Sequence, residues 1–203
     1  MVSVFLPTQN PFDEARRKVL LREYAEAVCS LPTNDNPVND SNGSKAGLIN
    51  RGNPNVFKLA HSRSGPANRN IQVKVGNVLF IPVMSGIVTQ PEVPNATSLQ
   101  QCADKDQSSI TSVGLEVNGS AVQNLGNYRV MTDEFNVNHP QNNINQVPSG
   151  NHKALAKSIV VMVKCDQPET FKIKWNGNLN CNGADCIEQN YSEDITYTIK
   201  VEP

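Results

Sequence analysis

Ser158-Ile159-Val160-Val161-Met162-Val163-Lys164 is a nearly continuous apolar run near the end of the chain. Such a run is typical of a strand that is covered on both faces or lies at the centre of a sandwich. A turn sequence follows at residues 166–169, where proline fixes φ and aspartate can bond its own backbone. Residues 171–175 and 195–201 then alternate strictly, which places Phe171, Ile173 and Trp175 with Ile195, Tyr197 and Ile199 on inward faces. Three strands with apolar faces need a second layer to cover them.

Shorter strand candidates precede this region and are separated by turn residues. Asn118-Gly119 is typical of a type I′ hairpin turn that leads into Ala121-Val122. The series of roughly nine strands predicts a mainly β protein, built as an antiparallel β-sandwich or jelly roll. The earlier candidates are residues 56–60, 71–75, 78–84, 110–117, 128–131 and 135–137.

Two helices are predicted beside the strands. Asn10-Pro11-Phe12-Asp13 is typical of a helix start, with Asn10 as the cap and proline in the first turn, and the helix runs to about Ser30. Its apolar stripe predicts a helix packed over one end of the sandwich, which we favour about fourfold over a helix that lies on a membrane or in a partner's groove. A short second helix is expected near residues 98–106, capped by Thr97 or Ser98. The apolar stripe of the first helix consists of Phe12, Ala15, Val19, Leu20, Tyr24, Ala27 and Val28. Its predicted solvent-exposed face consists of Arg16, Arg17, Lys18, Arg22 and Glu23.

The chain of 203 residues is one domain with three parts. Residues 1–31 form an N-terminal arm and helix, and residues 32–55 form a long loop rich in asparagine and proline. That loop either packs against the rest of the chain or moves. Residues 56–203 form the β-sandwich.

The charge balance excludes several function classes. The chain has 18 lysines and arginines against 19 acids, so its formal net charge is −1, and no block of like charge occurs. Binding to nucleic acid normally requires a basic stripe, so we expect no nucleic-acid partner. The polar content is instead rich in asparagine and glutamine, which hydrogen-bond well but do not titrate near neutral pH. Such residues suit contact surfaces better than proton transfer.

The sequence leaves two alternatives for the cellular location. No stretch approaches the roughly 18 apolar residues of a transmembrane segment, and residues 1–6 are too short for a signal-peptide core. We expect an extracellular or cell-surface protein if a leader has been removed, and a cytoplasmic or virion protein otherwise. The count of five cysteines is odd, so at least one thiol is free or pairs with another chain.

Metal binding is not predicted, although four residues are weak candidates. His139 and His152 flank one asparagine-rich loop, but no ligand-spacing motif encloses them or His61. Asp133 and Glu134 lie at a strand boundary and would hold calcium together with loop carbonyls. Solvated turn acids are about five times commoner than such a site when no Asp-x-Asp pattern is present. The sequence therefore predicts no cofactor, with calcium as the alternative.

No catalytic motif is present either. We find no Gly-x-Ser-x-Gly elbow, no cysteine–histidine signature, no paired strand carboxylates and no phosphate-binding glycine loop. Cys181 and Cys186 straddle a four-residue turn, and we expect them to form a disulfide in an oxidising compartment. The glycosylation sequons begin at Asn39, Asn42, Asn95, Asn118 and Asn190 and are compatible with secretion.

A series of short motifs, which runs from Pro32–Pro37 through Asn127-Tyr128-Arg129-Val130 to the three closing strands, occurs in a fixed order over residues 24–201. With them, the chain resembles a family of mostly uncharacterised, usually secreted archaeal and bacterial proteins. The resemblance implies a β-sandwich and no particular activity. The chain departs from the family at Asn77, where lysine is usual, and at Lys58, inside an apolar strand. The motifs are Pro32 to Pro37, Val56-Phe57-Lys58-Leu59-Ala60, Gly76-Asn77-Val78-Leu79-Phe80-Ile81-Pro82-Val83, Val117-Asn118-Gly119, Asn127-Tyr128-Arg129-Val130 and the three closing strands.

Three function classes remain open at this point. The first is a non-catalytic structural or binding protein that contacts protein partners or assembles with itself. The second is a viral capsid or shell component with a jelly-roll fold, and the third is a hydrolase with a site built from loops. We favour the first, and we expect the arm at residues 1–11 and the loop at residues 34–55 to make contacts between chains.

Overall fold

The computed structural model describes residues 2–50, 54–63, 65–93, 98–182, 186 and 190–203. Over these residues the chain is mainly β, with two α-helices and short 3-10 turns. The helices are α1 (Glu14–Cys29) and α2 (Leu99–Ser108). The strands are β1 (Val2–Phe5), β2 (Val56–Lys58), β3 (Ala67–Lys74), β4 (Val78–Thr89), β5 (Ile110–Val117), β6 (Ser120–Ala121), β7 (Arg129–Met131), β8 (Phe135–His139), β9 (Gly150–Cys165), β10 (Glu169–Asn180) and β11 (Asn190–Glu202).

The first sheet is organised around β9, the longest strand. β4 pairs with one side of β9, while β8, β7 and β1 pair in succession along its other side. The short strand β2 extends the sheet beyond β4. Both helices contact this sheet, α1 through β7, β8 and β9 and α2 through β4 and β9. We call it the covered sheet.

The second sheet has the strand order β3–β11–β10–β5–β6. Its outward-facing positions are exposed or half-buried, so we call it the open sheet. The Asn118-Gly119 turn between β5 and β6 has positive φ at both residues, which confirms the predicted type I′ turn.

Two strand pairs correct the expectation of wholly antiparallel sheets. β2 pairs with β4 in parallel, and β3 pairs with β11 in parallel. Between β2 and β4 the chain passes through the open sheet as β3, so β4 re-enters the covered sheet in the direction of β2. The remaining pairs are antiparallel.

The core has two main parts, one on each face of the covered sheet. Between the sheets, Ile159, Val161 and Val163 of β9 share a buried cluster with residues of β10 and β11. On the other face, Val160 and Met162 share a cluster with residues of α1. The apolar run in β9 is therefore buried on both faces, as predicted. The six residues predicted to face inward, namely Phe171, Ile173, Trp175, Ile195, Tyr197 and Ile199, are all buried in the cluster between the sheets.

The first helix starts later than the sequence suggested. Asp13 is the cap and accepts a hydrogen bond from the backbone N–H of Arg16, so the predicted cap at Asn10 is wrong. The prediction of a solvent-exposed face is also wrong at Arg17, which is buried and donates to the carbonyls of Phe5 and Leu6. Val19, assigned to the apolar stripe, is exposed. The partners of Arg17 come from the end of β1, and helical periodicity alone does not contain that information.

The segments expected to reach a neighbouring chain take part in this chain's own fold. Residues 2–5 are the strand β1, paired with β9. The loop that follows α1 contains three 3-10 turns, and Asn36 within it donates to the carbonyl of Val28. Further on, the carbonyls of Ser41 and Asn42 accept from backbone N–H groups of β3, so the loop covers the edge of the open sheet. Contacts of these segments with another chain remain a prediction.

A buried arginine connects this loop to the open sheet. Arg69 of β3 is 2% exposed and donates to the carbonyls of Asp40, Ala60 and His61. It also donates to the hydroxyl of Tyr197 at 2.7 Å and lies over that ring. Tyr197 stacks on Trp175 with ring centroids 5.4 Å apart. The guanidinium thus joins the loop, the segment after β2 and the centre of the core.

The contact between the loop and β3 predicts a position-specific glycine requirement. Gly43 has a φ of +92°, and a Cβ there would lie 2.9 Å from the carbonyl oxygen of Asn70. We expect Gly43→Ala to lower the free energy of unfolding by about 2 kcal/mol, measured by urea denaturation. Gly47→Ala is the matched control, because a Cβ at Gly47 meets nothing within 4 Å. Equal effects of the two substitutions would show that the loop does not pack on β3.

Candidate functional site

An irregularity in β4 brings polar groups together between the two sheets. The pairing of β4 with β9 shifts register between Val83 and Gly86. Within this bulge Met84 has a φ of 50°, in the left-handed region that non-glycine residues rarely adopt. Its backbone N–H donates to Oε1 of Glu193 at 2.7 Å. Backbone strain of this kind persists where the surroundings hold it in place, and strained residues cluster at functional sites.

Glu193 is a buried carboxyl group at the centre of this region. It is 3% exposed, and its Oε2 accepts from the hydroxyl of Tyr191 at 3.1 Å. Burial penalises the ionised form and raises the pKa of Glu193 to about 7, although the N–H of Met84 opposes that rise. Glu193 is therefore a group whose charge changes near neutral pH.

A buried ion pair lies on the other side of the bulge. Nζ of Lys157 is 2.9 Å from Oδ2 of Asp106, and both side chains are about 95% buried. Lys157 also donates to the carbonyl of Ala103 in α2. Burial lowers the pKa of Lys157, and the charge of Asp106 opposes this shift. The pair joins the end of α2 to β9.

A small cavity lies beside the bulge and the ion pair. Its volume is about 50 Å³, and its lining includes Ser85, Asp106 and Lys157. Oγ of Ser85 and Oδ1 of Asp106 are buried without a hydrogen-bond partner among the described residues. Sites for small organic ligands usually measure roughly 300–1,000 Å³, whereas a bound water needs about 10–15 Å³. The cavity therefore has the size and polarity for a few ordered waters.

His61 also lines this cavity but is fully engaged in structural bonds. Its Nδ1 is 2.6 Å from the hydroxyl of Tyr24, and that hydroxyl also accepts from the backbone N–H of His61. Burial lowers the pKa of His61 to about 3, so the ring is neutral at physiological pH. Its contacts fix α1 to the segment after β2.

The four weak metal candidates separate into two pairs. His139 and His152 lie on neighbouring strands with ring centroids 5.4 Å apart. Asp133 and Glu134 precede β8, whereas His139 is its last residue. Five residues of strand from Glu134 to His139 span about 17 Å, so the acids and the histidines do not form one site. Glu134 instead pairs with Lys153 at 3.5 Å.

The structure places the cysteines and most of the sequon asparagines. Cys181 and Cys186 form a disulfide, as predicted, while Cys29, Cys102 and Cys165 are buried thiols outside that disulfide. Of the sequon asparagines, Asn39, Asn42, Asn118 and Asn190 are exposed. Asn95 lies outside the described residues.

The open sheet offers a polar outward face on which amide and hydroxyl side chains lie beside the lysines of its central strand, β10. Asn70, Thr198 and Lys172 are cross-strand neighbours on its outward face. The next row contains Asn68, Thr196, Lys174 and Glu116. A shallow depression of about 620 Å³ borders this face beside Gly43 and Phe57. This face and the cavity at the bulge are the two candidate sites.

Several of these residues had no distinguishing sequence pattern. Lys58 was noted only as a departure from an apolar strand, and the structure pairs its buried Nζ with Oε2 of Glu23 at 3.2 Å. Arg69 occupies an inward position of an alternating strand, and Lys157 interrupts the apolar run of β9. A charge at an apolar position was therefore the sequence feature that could have identified both residues. Glu193 precedes the strand segment that was predicted and would have been found by extending its alternation backward.

Comparison with known proteins adds little to this geometry. No family model matches the chain, and no curated protein matches it. One solved structure with some similarity is that of PbICP-C in complex with falcipain-2. The match has 11% sequence identity and a TM-score of 0.27, and it covers 72% of this chain and 98% of the other. Similarity at that level carries no argument about fold or function.

Neither helix in the described part of the chain has both the length and the hydropathy required to cross a bilayer.

The raised pKa of Glu193 predicts a pH-dependent stability difference. Glu193 stays protonated in the folded chain up to about pH 7, whereas its ordinary pKa is 4.5. The unfolded state therefore binds fewer protons between these values, so stability contributed by Glu193 falls as the pH rises through this window. Because Glu193→Gln cannot ionise, we expect the wild type to lose about 2 to 3 kcal/mol relative to it between pH 5 and pH 8.

Urea denaturation of both proteins at several pH values measures this difference. The titrations of His61 and His139 occur in both proteins and cancel. A difference in unfolding free energy that does not change with pH would mean that Glu193 is ionised throughout.

Proposed function

We propose that this chain is a non-catalytic binding protein with a β-sandwich fold, which contacts a protein partner through the outward face of the open sheet. A second copy of the chain is the first candidate partner. The observation that carries the proposal is the asymmetry of the two sheets. Both helices pack on the covered sheet, while five strands present an extended polar surface to solvent.

The chemistry of that face suits reversible contact with another protein. Asn70, Thr198 and their neighbours offer hydrogen-bond donors and acceptors without a net charge that must be desolvated. Lys172 and Lys174 lie beside them and add positive charge that is partly balanced by Glu116. Non-obligate interfaces are about as polar as the rest of a protein surface, so the lack of a large apolar patch does not count against this face.

The edges of the open sheet are less suited to contact. The loop at Ser41 and Asn42 already bonds to the outer edge of β3. At the opposite edge β6 has only two residues. Natural sheets avoid edge pairing by such devices, and the open face therefore remains as the contact surface of this sheet.

The cavity at the bulge supports the non-catalytic part of the proposal. The buried charged groups in and beside it make structural bonds: Lys157 pairs with Asp106 in the lining, and Glu193, outside the lining, accepts from the backbone N–H of Met84. Ser85 would be the nucleophile of a hydrolase, but no general base among the described residues bonds its hydroxyl. A volume near 50 Å³ also leaves no room for a substrate.

An extracellular or cell-surface location is part of the same proposal. The disulfide between Cys181 and Cys186 persists in oxidising compartments. A shell component, the alternative assembly role, would use the open face for repeated contacts between copies.

Amine footprinting tests the proposed surface without knowledge of the partner. Lys172, Lys174 and Lys200 all project from the open face. We expect their acetylation rates, measured by mass spectrometry, to fall in the native preparation relative to the dilute purified chain. If the partner is a second copy, concentrating the purified chain produces the same protection.

Lys18 of α1 and Lys153 of β9 are the internal controls. Both are substantially exposed, and neither belongs to the open sheet. Unchanged rates at all five lysines in the native preparation, or protection confined to the two controls, would overturn the proposal.

A further inference from the structure

Two histidines meet at the end of the covered sheet, away from the proposed contact face. His139 is the last residue of β8 and pairs in register with Gly150, while His152 pairs with Val137. The two side chains are thus diagonal neighbours on one face of an antiparallel ladder, at a distance that long or ring-shaped side chains bridge. Their ring centroids lie 5.4 Å apart, and the rings are tilted by 48°.

The ring of His139 is buried without a hydrogen bond. It is 1% exposed, and neither Nδ1 nor Nε2 has a partner among the described residues. A neutral imidazole offers one donor and one lone pair, and buried polar groups are nearly always satisfied. Burial and the neighbouring His152 lower the pKa of His139 to about 4, so its lone pair is free of a proton at neutral pH.

The second ring is oriented by a backbone carbonyl. Nε2 of His152 is 2.8 Å from the carbonyl oxygen of Pro148. A carbonyl accepts only, so Nε2 carries the proton and Nδ1 of the neutral ring holds a lone pair. Metal-binding histidines almost always donate their other N–H to a carbonyl or carboxylate in this way, because the bond fixes the tautomer and the ring direction.

The spacing of the rings selects a coordination geometry. A Zn–N bond is about 2.1 Å long and the nitrogen lies about 1.1 Å from its ring centroid, so each centroid lies about 3.2 Å from the metal. Two such rings at a tetrahedral angle have centroids about 5.2 Å apart, and at a right angle about 4.5 Å apart. The observed 5.4 Å is compatible with tetrahedral coordination, the usual geometry of Zn²⁺, when one nitrogen of each ring faces the metal.

We propose that His139 and His152 form a binding site for Zn²⁺, with water in the remaining coordination positions. Zinc with two protein ligands and water is held reversibly. Asp133 and Glu134 are at the far end of β8 and take no part.

A second cluster of ligand atoms is less suited to a metal. Asp106, Cys181 and Cys186 place one oxygen and two sulfurs within 4.8 Å of one another. The two sulfurs are joined in a disulfide, so neither is a thiolate ligand. The ammonium of Lys157, 2.9 Å from Asp106, also repels a cation.

Calorimetric titration of the full chain with Zn²⁺, without reductant, tests the site. We expect one Zn²⁺ to bind per chain, and His152→Ala to weaken the affinity at least tenfold. His152 is the residue to replace because it is only partly buried, so the fold tolerates the change. His152→Cys supplies a thiolate at the same position and is expected to restore binding.

The exposed pair Asn138 and Asn151 provides the matched control, because it occupies the adjacent register position on the opposite face of the ladder. Asn151→Ala should bind Zn²⁺ as the wild type does. Side-chain nitrogen NMR spectra should show shifts at His139 and His152 and none at His61. Equal affinity of the wild type and His152→Ala, no saturable binding up to about 1 mM Zn²⁺, or shifts at His61 alone would overturn the proposal.

Discussion

The guanidinium of Arg69 lies inside the molecule and is held by carbonyl groups from two separate segments and by the hydroxyl of Tyr197. A buried cation without such bonds would be very costly, so the loop after α1 and the segment after β2 must take the positions that supply them. Tyr197 in turn stacks on Trp175 in the core between the sheets. The packing of the core, the course of the loop and the covered edge of β3 therefore depend on one another through this side chain.

The strands were predictable where burial alternates and less so where charges are buried. The alternation in β10 and the Asn118-Gly119 turn follow from period two and from backbone preference, both of which are local. Arg69 and Lys157 lie at inward positions because residues distant in sequence neutralise or bond them, and no local pattern contains that information. Similarly, β1 has only four residues, and its pairing with β9 joins positions more than 150 residues apart.

The candidate sites also differ in how far the sequence could predict them. The disulfide between Cys181 and Cys186 was predictable because the two cysteines are close in sequence. The flanking positions of His139 and His152 beside one loop did not place their rings together, since that contact depends on the register of β8 on β9. The cavity was not predictable at all, because it results from a bulge that places Met84 in the left-handed region. Buried polar groups in this protein connect its elements, whereas the open face has no structural partner within the described residues.

Our central claim is that the open face binds a protein partner and contributes little to folding. The most direct test is the particle size of the chain expressed in its own host, compared between the wild type and Thr198→Arg, with Asn136→Arg on the covered sheet as the control. We predict that all three proteins unfold within about 0.5 kcal/mol of one another, and that only Thr198→Arg elutes as a smaller particle on size exclusion. Identical particle sizes for the wild type and Thr198→Arg would contradict the claim.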